Sequence, residues 1–246
     1  MILASAQTKP KRGNIESNLN DHYNLIDLAS QNQADLIVFP EMSITGYERE
    51  NALDLAFTEN DSRLDVLRQL SADKQMILIT GAPILISNNL YIGAFIIKPD
   101  CSISIYTKQY LHSGEEKFFK SSSGHNPKIR LCNEQISIAI CSDIDNSPHA
   151  ENTAKAGSTI YIASLFFTPG GIPNAYKTLS GYAKQFGLNV LMSNYCGQLW
   201  GLDAGGQSGF WDKNGKLIAN LNDADSGLLI IENIDNTWTG KSVKYE

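Results

Sequence analysis

Three residues of this chain combine the groups that acyl transfer requires: an acid, a fixed cation and a thiol. Glu41 stands in FPEMSITGYE, Lys108 in YTKQYLHSGEE and Cys141 in ISIAICSDID. A thiol needs help to react at neutral pH, because its unperturbed pKa is about 8.5. Glu41 can take the thiol proton and pass it to a leaving amine, and Lys108 can stabilise the negative oxygen of a tetrahedral intermediate. The set predicts attack of Cys141 on an amide, without a metal or an organic cofactor.

Each of the three residues has an ordinary structural explanation when it is taken alone. A loop acid is usually solvated, a lysine beside an edge strand often protects that edge, and a free cysteine is usually buried and inert. Their positions change this interpretation, because each one follows an apolar run that is typical of a strand. Side chains at the carboxyl ends of strands project into one crevice of an α/β fold, so the three can converge.

The elements that must position these residues follow from the hydrophobic periodicity. Helices are predicted over residues 14–30, 62–73, 148–156 and 175–186. Directly connected strand pairs are predicted for LYIGAFIIKP with SISIYTK, for KIRLC with ISIAIC, and on either side of Asn214-Gly215, with GLLIIENI (227–234) as the last strand. Hairpins mixed with helix-connected strands predict a mixed-sheet α/β architecture covered by helices. No repeat or composition break divides the chain, so we expect a single domain over residues 1–246.

Composition and charge exclude several classes of protein. A net charge of -6 over 246 residues, with no dense Lys/Arg run, argues against a nucleic-acid partner. The longest apolar run, IYIASLFF, is far shorter than the roughly 20 residues of a membrane-spanning helix. The amino terminus has no room for the core of a secretory signal, so a cytoplasmic location is expected. Four scattered cysteines and four scattered histidines suggest neither a metal site nor a disulfide framework.

Taken together, the motifs resemble those of the carbon-nitrogen hydrolase (nitrilase) superfamily, whose signature is Glu, Lys and Cys in that order. FPEMSITGY resembles the glutamate motif, YTKQYLHSGEEKFF the lysine motif with a second glutamate, and AICSD the cysteine motif. The resemblance continues through SGYAKQFGLNVLMSN and GQSGFWDKNGKLIAN. It implies an α/β fold of four layers, an αββα sandwich of two mixed β-sheets flanked by helices, and a homodimer.

The resemblance also implies roles for individual residues. Glu41 matches the general base, Lys108 the oxyanion-stabilising lysine and Cys141 the nucleophile. Glu116 is assigned as the second glutamate because it directly precedes KFF, and Glu115 remains the alternative by a one-residue shift.

Further site residues are expected from their places in the predicted elements. The backbone N–H of Ser142, directly after the nucleophile, is expected in the oxyanion hole. Asp143 has two open roles: a structural one, capping the helix that starts near Pro148 or bonding loop amides, or a role in orienting a catalytic group. The residues expected to bind substrate are Tyr47, Glu115, Phe166, Phe167 and Asn194, although the two phenylalanines could instead belong to the core.

The sequence departs from the common family pattern directly after the cysteine. Many members continue as Cys-Tyr-Asp-x-Arg-Phe-Pro-Glu, whereas this chain reads CSDIDNSP over residues 141–148. Substrate preference therefore cannot be carried over. The expected function is hydrolysis of a small linear amide, of the ω-amide or carbamoyl type, through a thioester. The alternatives left open are a nitrilase, an acyltransferase and a catalytically silent protein that binds a small molecule.

Overall fold

Two β-sheets and four α-helices form the body of the protein in a computed structural model that describes residues 1–245. The helices are α1 (Ile15–Gln31), α2 (Asp65–Lys74), α3 (Ser147–Lys155) and α4 (Ile172–Phe186). The first nine strands are β1 (Ile2–Gln7), β2 (Leu36–Val38), β3 (Ile77–Ile86), β4 (Asn89–Ile97), β5 (Ile103–Thr107), β6 (Ile129–Leu131), β7 (Glu134–Ile140), β8 (Ile160–Ser164) and β9 (Asn189–Ser193). The remaining strands are β10 (Cys196–Leu199), β11 (Leu202–Gly205), β12 (Gly209–Trp211), β13 (Leu217–Asn220), β14 (Gly227–Ile234) and β15 (Thr237–Lys244).

Both large sheets are mixed, as the combination of hairpins and helix-connected strands predicts. The first has seven strands in the order β15-β14-β1-β2-β3-β4-β5, and the second has six in the order β13-β12-β9-β8-β7-β6. Each has a parallel centre, β1-β2-β3 in one and β7-β8-β9 in the other, with antiparallel strands on both flanks. Strands β10 and β11 form a separate hairpin.

Alternating side chains divide the interior into three apolar layers. The central layer joins the inner faces of the two sheets, with Leu36 and Val38 from one and Ile138 and Ile162 from the other. The outer face of the first sheet packs against α1 and α2, and the outer face of the second packs against α3 and α4. The predicted αββα sandwich is confirmed.

Buried serine hydroxyls join the two sheets near the carboxyl ends of their central strands. Ser193 Oγ donates to the carbonyl of Ala6 at 2.7 Å, and Ser164 Oγ donates to the carbonyl of Phe39 at 2.8 Å. A buried hydroxyl must find an acceptor, so these bonds restrict how the sheets can slide past each other. The restriction matters for chemistry because Phe39 lies two residues before Glu41.

All four predicted helices are present, with ends shifted by up to three residues. Helix α1 begins at an Asn14 side chain that accepts from the amide of Ser17, and α4 ends at Gly187, whose φ of 70° suits glycine. Within residues 1–245, no helix combines the length and the apolar character needed to cross a membrane.

The predicted strand GLLIIENI is confirmed as β14, but it is not the last strand, since β15 follows it and pairs with it antiparallel. Asp235 and Asn236, both at positive φ, make the tight turn between them. Strand β15 escaped detection because it lies mostly exposed at the sheet edge and lacks an apolar run. The hairpin around Asn214-Gly215 is confirmed, with a turn that extends from Asp212 to Lys216.

Candidate active site

Glu41 occupies the turn that follows β2, at the carboxyl edge of the first sheet. The turn lies so close to β3 that a Cβ at Gly81 would stand 2.4 Å from the backbone nitrogen of Met42. The Tyr195 hydroxyl donates to the carbonyl of Glu41 from the opposite sheet. Glu41 is therefore fully buried and its backbone is fixed from both sides.

Lys108 directly follows β5, which runs parallel to β2 and β3 because β4 lies antiparallel to both of its neighbours. Its side chain is therefore at the same edge as Glu41, and Lys108 Nζ donates to Glu41 Oε1 at 2.8 Å. Both side chains are completely inaccessible to solvent. The ends of β2 and β5 therefore converge, as the sequence predicts.

The second carboxylate of the cluster is Glu115 and not Glu116, which corrects the assignment favoured from the sequence. Lys108 Nζ lies 2.9 Å from both carboxylate oxygens of Glu115, which is fully buried. Glu116 is exposed, and its side chain accepts from the amide of Gly114. The two acids share a short 3-10 helix, Glu115–Lys117, in which neighbouring side chains point in different directions. Only the first of them faces Lys108.

Cys141 is the first residue after β7 and the first of a 3-10 helix, Cys141–Asp145. Its φ of 44° is uncommon for a residue with a side chain and marks a sharp turn between strand and helix. The thiol donates to the carbonyl of Phe166 at 3.8 Å. Ser142 lies in the first turn of the same helix, where backbone N–H groups have no acceptor within the helix.

Asp143 bonds backbone amides at both strand ends of the site, which is part of the structural role left open by the sequence. It does not cap α3, which has Asn146 at its N-cap position. Asp143 Oδ1 accepts from the amides of Gln109 and Tyr110, the two residues after Lys108. Its Oδ2 accepts from the amide of Ile140, directly before Cys141. One buried carboxylate thus ties the loop that carries the lysine to the turn that carries the thiol.

A buried polar chain extends from Asp143 away from the site. The Tyr106 hydroxyl donates to Asp143 Oδ2 at 2.7 Å and lies 2.9 Å from His149 Nε2. His149 Nδ1 lies 2.8 Å from the Tyr161 hydroxyl. Burial lowers the pKa of His149, so the ring is neutral at pH 7. The chain was not predicted, because its members come from four separate elements.

Burial sets the charge state of the catalytic groups. It raises the pKa of Glu41 to about 7, although Lys108 opposes the shift and Glu115 adds to it. Burial alone lowers the pKa of Lys108, but the negative charges around it outweigh burial and raise that pKa. Burial and then the charge of Glu41 raise the pKa of Cys141 well above its usual value. The resting site therefore holds a neutral thiol beside a charged lysine and a carboxyl group that titrates near neutrality.

A cavity of about 510 Å³ opens onto Cys141. Tyr47, Phe166 and Phe167 line it, as expected from the sequence. Tyr47 has a second contact, because its hydroxyl donates to Glu115 Oε1 at 2.8 Å. The other lining residues are Arg49, Glu50, His112, Ser113, Gly114, Lys117, Phe118, Asp145, Thr168, Trp200 and Leu202.

Two residues expected to bind substrate lie elsewhere. Glu115 stands behind the cavity wall, against Lys108 and Tyr47. Asn194 is fully buried, where its Oδ1 accepts from the amide of Phe167 and its Nδ2 donates to the Phe167 and Gly206 carbonyls. Asn194 therefore fixes the backbone of a wall residue and is not itself a wall. Strand-end position predicted its neighbourhood but not the direction of its side chain.

Comparison with known protein families gives a match along nearly the whole chain. The family model described as Carbon-nitrogen hydrolase matches residues 2–240. A glutamine-dependent NAD(+) synthetase of Acinetobacter baylyi is 26% identical over 207 residues, which are 79% of this chain and 37% of the synthetase. A protein N-terminal amidase of Schizosaccharomyces pombe is 27% identical over 161 residues, 59% of this chain and 56% of that protein. The chain thus spans about a third of the synthetase and about half of the amidase.

Solved structures with the same fold include the NitN amidase from Nesterenkonia sp. AN1. It superposes with a TM-score of 0.83 at 21% sequence identity, covering 96% of this chain and 93% of the amidase. A further structure of the Nesterenkonia amidase, a glutamate-to-glutamine mutant, shows Michael addition of acrylamide at its active-site cysteine, with a TM-score of 0.83 and 20% identity over 95% and 93% of the two chains.

Proposed function

Because the chain belongs to the carbon-nitrogen hydrolase family, we propose that it hydrolyses the C–N bond of a small linear amide, of the ω-amide or carbamoyl type. The observation that carries the proposal is the buried set of Glu41, Lys108 and Glu115 beside Cys141, which itself lines a cavity. Burying two acids and a lysine away from solvent lowers the stability of the fold, and such an arrangement is typical of a catalytic site.

Acylation begins with the neutral thiol. Glu41, in its carboxylate form, takes the proton of Cys141 as the sulfur attacks the carbonyl carbon of the amide. The C–S bond forms, and the negative oxygen is stabilised by the Lys108 ammonium and the backbone N–H of Ser142. The intermediate collapses by breaking the C–N bond, and the amine leaves with the proton that Glu41 held. The products of this half-reaction are ammonia or an amine and a thioester.

Deacylation repeats these steps with water. Glu41 removes a proton from a water molecule that attacks the thioester, and the same cation and N–H stabilise the second tetrahedral intermediate. The C–S bond breaks, the acid leaves, and the sulfur recovers its proton from Glu41. The sum is amide plus water giving acid plus amine. In this scheme Glu115 acts on Lys108 alone: it holds the ammonium in place and preserves its charge.

The comparisons support this proposal at the level of chemistry. A glutamate-to-glutamine mutant of the Nesterenkonia amidase adds acrylamide at its active-site cysteine, and the proposal gives Cys141 the same role of nucleophile. The curated relatives include a protein N-terminal amidase and glutamine-dependent NAD(+) synthetases. Because this chain spans about a third of the synthetase, NAD(+) synthesis does not form part of the proposal.

The proposal is tested by incubating the protein with a panel of ω-amides and carbamoyl compounds, measuring ammonia release and the intact mass. We expect turnover and a mass increase on Cys141 that is absent after Cys141→Ala. Cys196→Ala is the matched control, because Cys196 is also buried but its thiol faces the Thr8 carbonyl away from the cavity. Turnover that survives Cys141→Ala would contradict the proposal.

Two alternatives are outcomes of the same assay. Release of ammonia and acid from a nitrile, with no action on amides, would identify a nitrilase. Tight binding of a panel member with neither turnover nor an adduct would identify a catalytically silent binding protein. The homodimer and the cytoplasmic location stay predictions, which light scattering and cell fractionation test directly.

A further inference from the structure

Arg49 lines the same cavity as Cys141 and has no part in the proposed chemistry. It follows Tyr47 by two residues, on the loop that carries Glu41. The Tyr47 ring lies between Arg49 and the buried catalytic cluster: its hydroxyl donates to Glu115, and its ring centroid lies 5.8 Å from Arg49 Cζ. A guanidinium group is thus held within the substrate cavity, one tyrosine ring away from the buried catalytic cluster.

Aromatic rings hold this guanidinium in place. Arg49 Cζ lies 3.9 Å from the centroid of the Trp200 ring, and Trp200 packs edge-on against Tyr47 at 6.0 Å. An arginine stacked on an aromatic face keeps its charge and the in-plane N–H donors remain free to bind. The stacking therefore orients the group without using its hydrogen bonds.

The guanidinium donors of Arg49 are not bonded to an acid of the described residues 1–245. Among residues 1–245, no carboxylate forms an ion pair with Arg49, and its buried Nε has no hydrogen-bond partner. The other stacked arginine, Arg63, differs, because it lies over Phe57 and also pairs with Asp61 at 2.6 Å. Unlike that of Arg63, the Arg49 guanidinium therefore has donors left for an acceptor that a ligand supplies.

The acids around the cavity do not form an ion pair with Arg49. Glu50 is engaged by Arg12, 2.6 Å away. Glu116 is exposed and accepts from the Gly114 amide. Hydrogen bonds from backbone amides, and to a lesser extent the charge of Arg49, lower the pKa of Glu116, but the two side chains form no ion pair. Asp145 lines the cavity but makes no ion pair with Arg49 within the described part of the chain. Lys117, the other Lys or Arg side chain of the lining, adds a second positive charge to the cavity wall.

We propose that Arg49 binds a carboxylate at the end of the substrate remote from the scissile amide, so that the preferred substrates are half-amides of dicarboxylic acids. The planar guanidinium presents paired donors that match a carboxylate, and the aromatic walls exclude water from the contact. This inference rests on the proposed amidase function and deepens it by naming the group that the cavity recognises.

Turnover tests the inference with two probes that differ only in charge: glutaramate, which ends in a carboxylate, and glutaramide, which ends in a neutral amide. We expect wild-type kcat/KM to favour glutaramate by on the order of 10- to 100-fold. Arg49→Met should abolish the preference through the KM for glutaramate, and Arg49→Lys should restore part of it. Arg63→Met, which removes a stacked arginine outside the cavity, should retain the preference.

Binding to the Cys141→Ala protein tests the inference without any turnover. Calorimetric titration should show glutaramate binding at least about tenfold tighter than glutaramide, and the additional Arg49→Met change should remove the difference. Equal binding of the two probes, or a preference that survives Arg49→Met, would overturn the inference while leaving amide hydrolysis intact. Discrimination in binding without any hydrolysis would instead uphold the inference and contradict the proposed function.

Discussion

The Lys108 ammonium lies 2.9 Å from both carboxylate oxygens of Glu115, and neither side chain contacts solvent. Glu41 completes the cluster at 2.8 Å from the same nitrogen. Lys108 therefore carries one positive charge between two acids. In the proposed scheme Glu115 holds the lysine in place, and Glu41 exchanges protons with the thiol. The cluster depends on Glu115, on the ionisation of Glu41, and on the backbone contacts of Asp143 and Gly81.

Glu115→Gln should lower kcat far more than Glu116→Gln, although the two residues are adjacent. The first change removes a buried negative charge from Lys108, while the second alters an exposed loop acid. Removing one partner of a buried ion pair typically costs about 3–5 kcal/mol, of which the amide of glutamine should recover a part. Urea denaturation and kcat measured on both variants test this, and equal losses would contradict it.

The activity should depend on pH through Glu41. Burial raises the pKa of this carboxyl to about 7, and only its ionised form can take the thiol proton. The kcat/KM should therefore fall as pH drops through about 7, by about tenfold for each further pH unit. A pH–rate profile gives the apparent value, which belongs to the coupled cluster rather than to Glu41 alone. A profile that stays flat down to pH 5 would show that no such group must be ionised.

Asp143→Asn should loosen both strand ends of the site. An asparagine in place of Asp143 has one acceptor oxygen where the carboxylate has two, so amides of Gln109, Tyr110 or Ile140 lose their acceptor. Lost hydrogen bonds of buried groups cost about 1–3 kcal/mol each. The measurements are the free energy of unfolding and kcat with a small amide. Asp145→Asn, at an exposed position, controls for stability and should change it by less than about 0.5 kcal/mol.

Gly81→Ala should impair catalysis without touching any catalytic side chain. A Cβ at Gly81 would stand 2.4 Å from the Met42 nitrogen and 3.2 Å from the Glu41 carbonyl carbon, so the turn that carries Glu41 must shift. Overpacking of this kind typically costs about 1–3 kcal/mol. The midpoint temperature of thermal denaturation and kcat/KM should both fall. A variant with wild-type kcat/KM would show that the turn position is not critical.

Gly181→Ala is the matched control for that change. Gly181 lies inside α4, and a Cβ there would meet nothing within 4 Å. Alanine is the better helix former, so the variant should gain about 0.5–1 kcal/mol of stability with kcat/KM unchanged.

Hydrophobic periodicity is a local property of the chain, so the amino-acid sequence was enough to predict the order and type of the main elements. It also predicted that Glu41, Lys108 and Cys141 each follow a strand, which in a layered α/β fold is enough to bring them together. The four helices were predictable from the same periodicity, whereas the αββα sandwich was predicted from the resemblance to carbon-nitrogen hydrolases. Strand β15 was not, since an exposed edge strand carries no strong apolar pattern.

The directions of individual side chains could not be predicted in this way, because they depend on the packed fold. Glu115 and Glu116 are chemically identical neighbours, and the orientation of a single helical turn places one against Lys108 and the other in solvent. The contact between Arg49 and Trp200 joins residues far apart in the chain, so no local pattern announces it. Local periodicity fixes where a backbone runs, but the direction of a side chain depends on packing between elements, and substrate recognition depends on that direction.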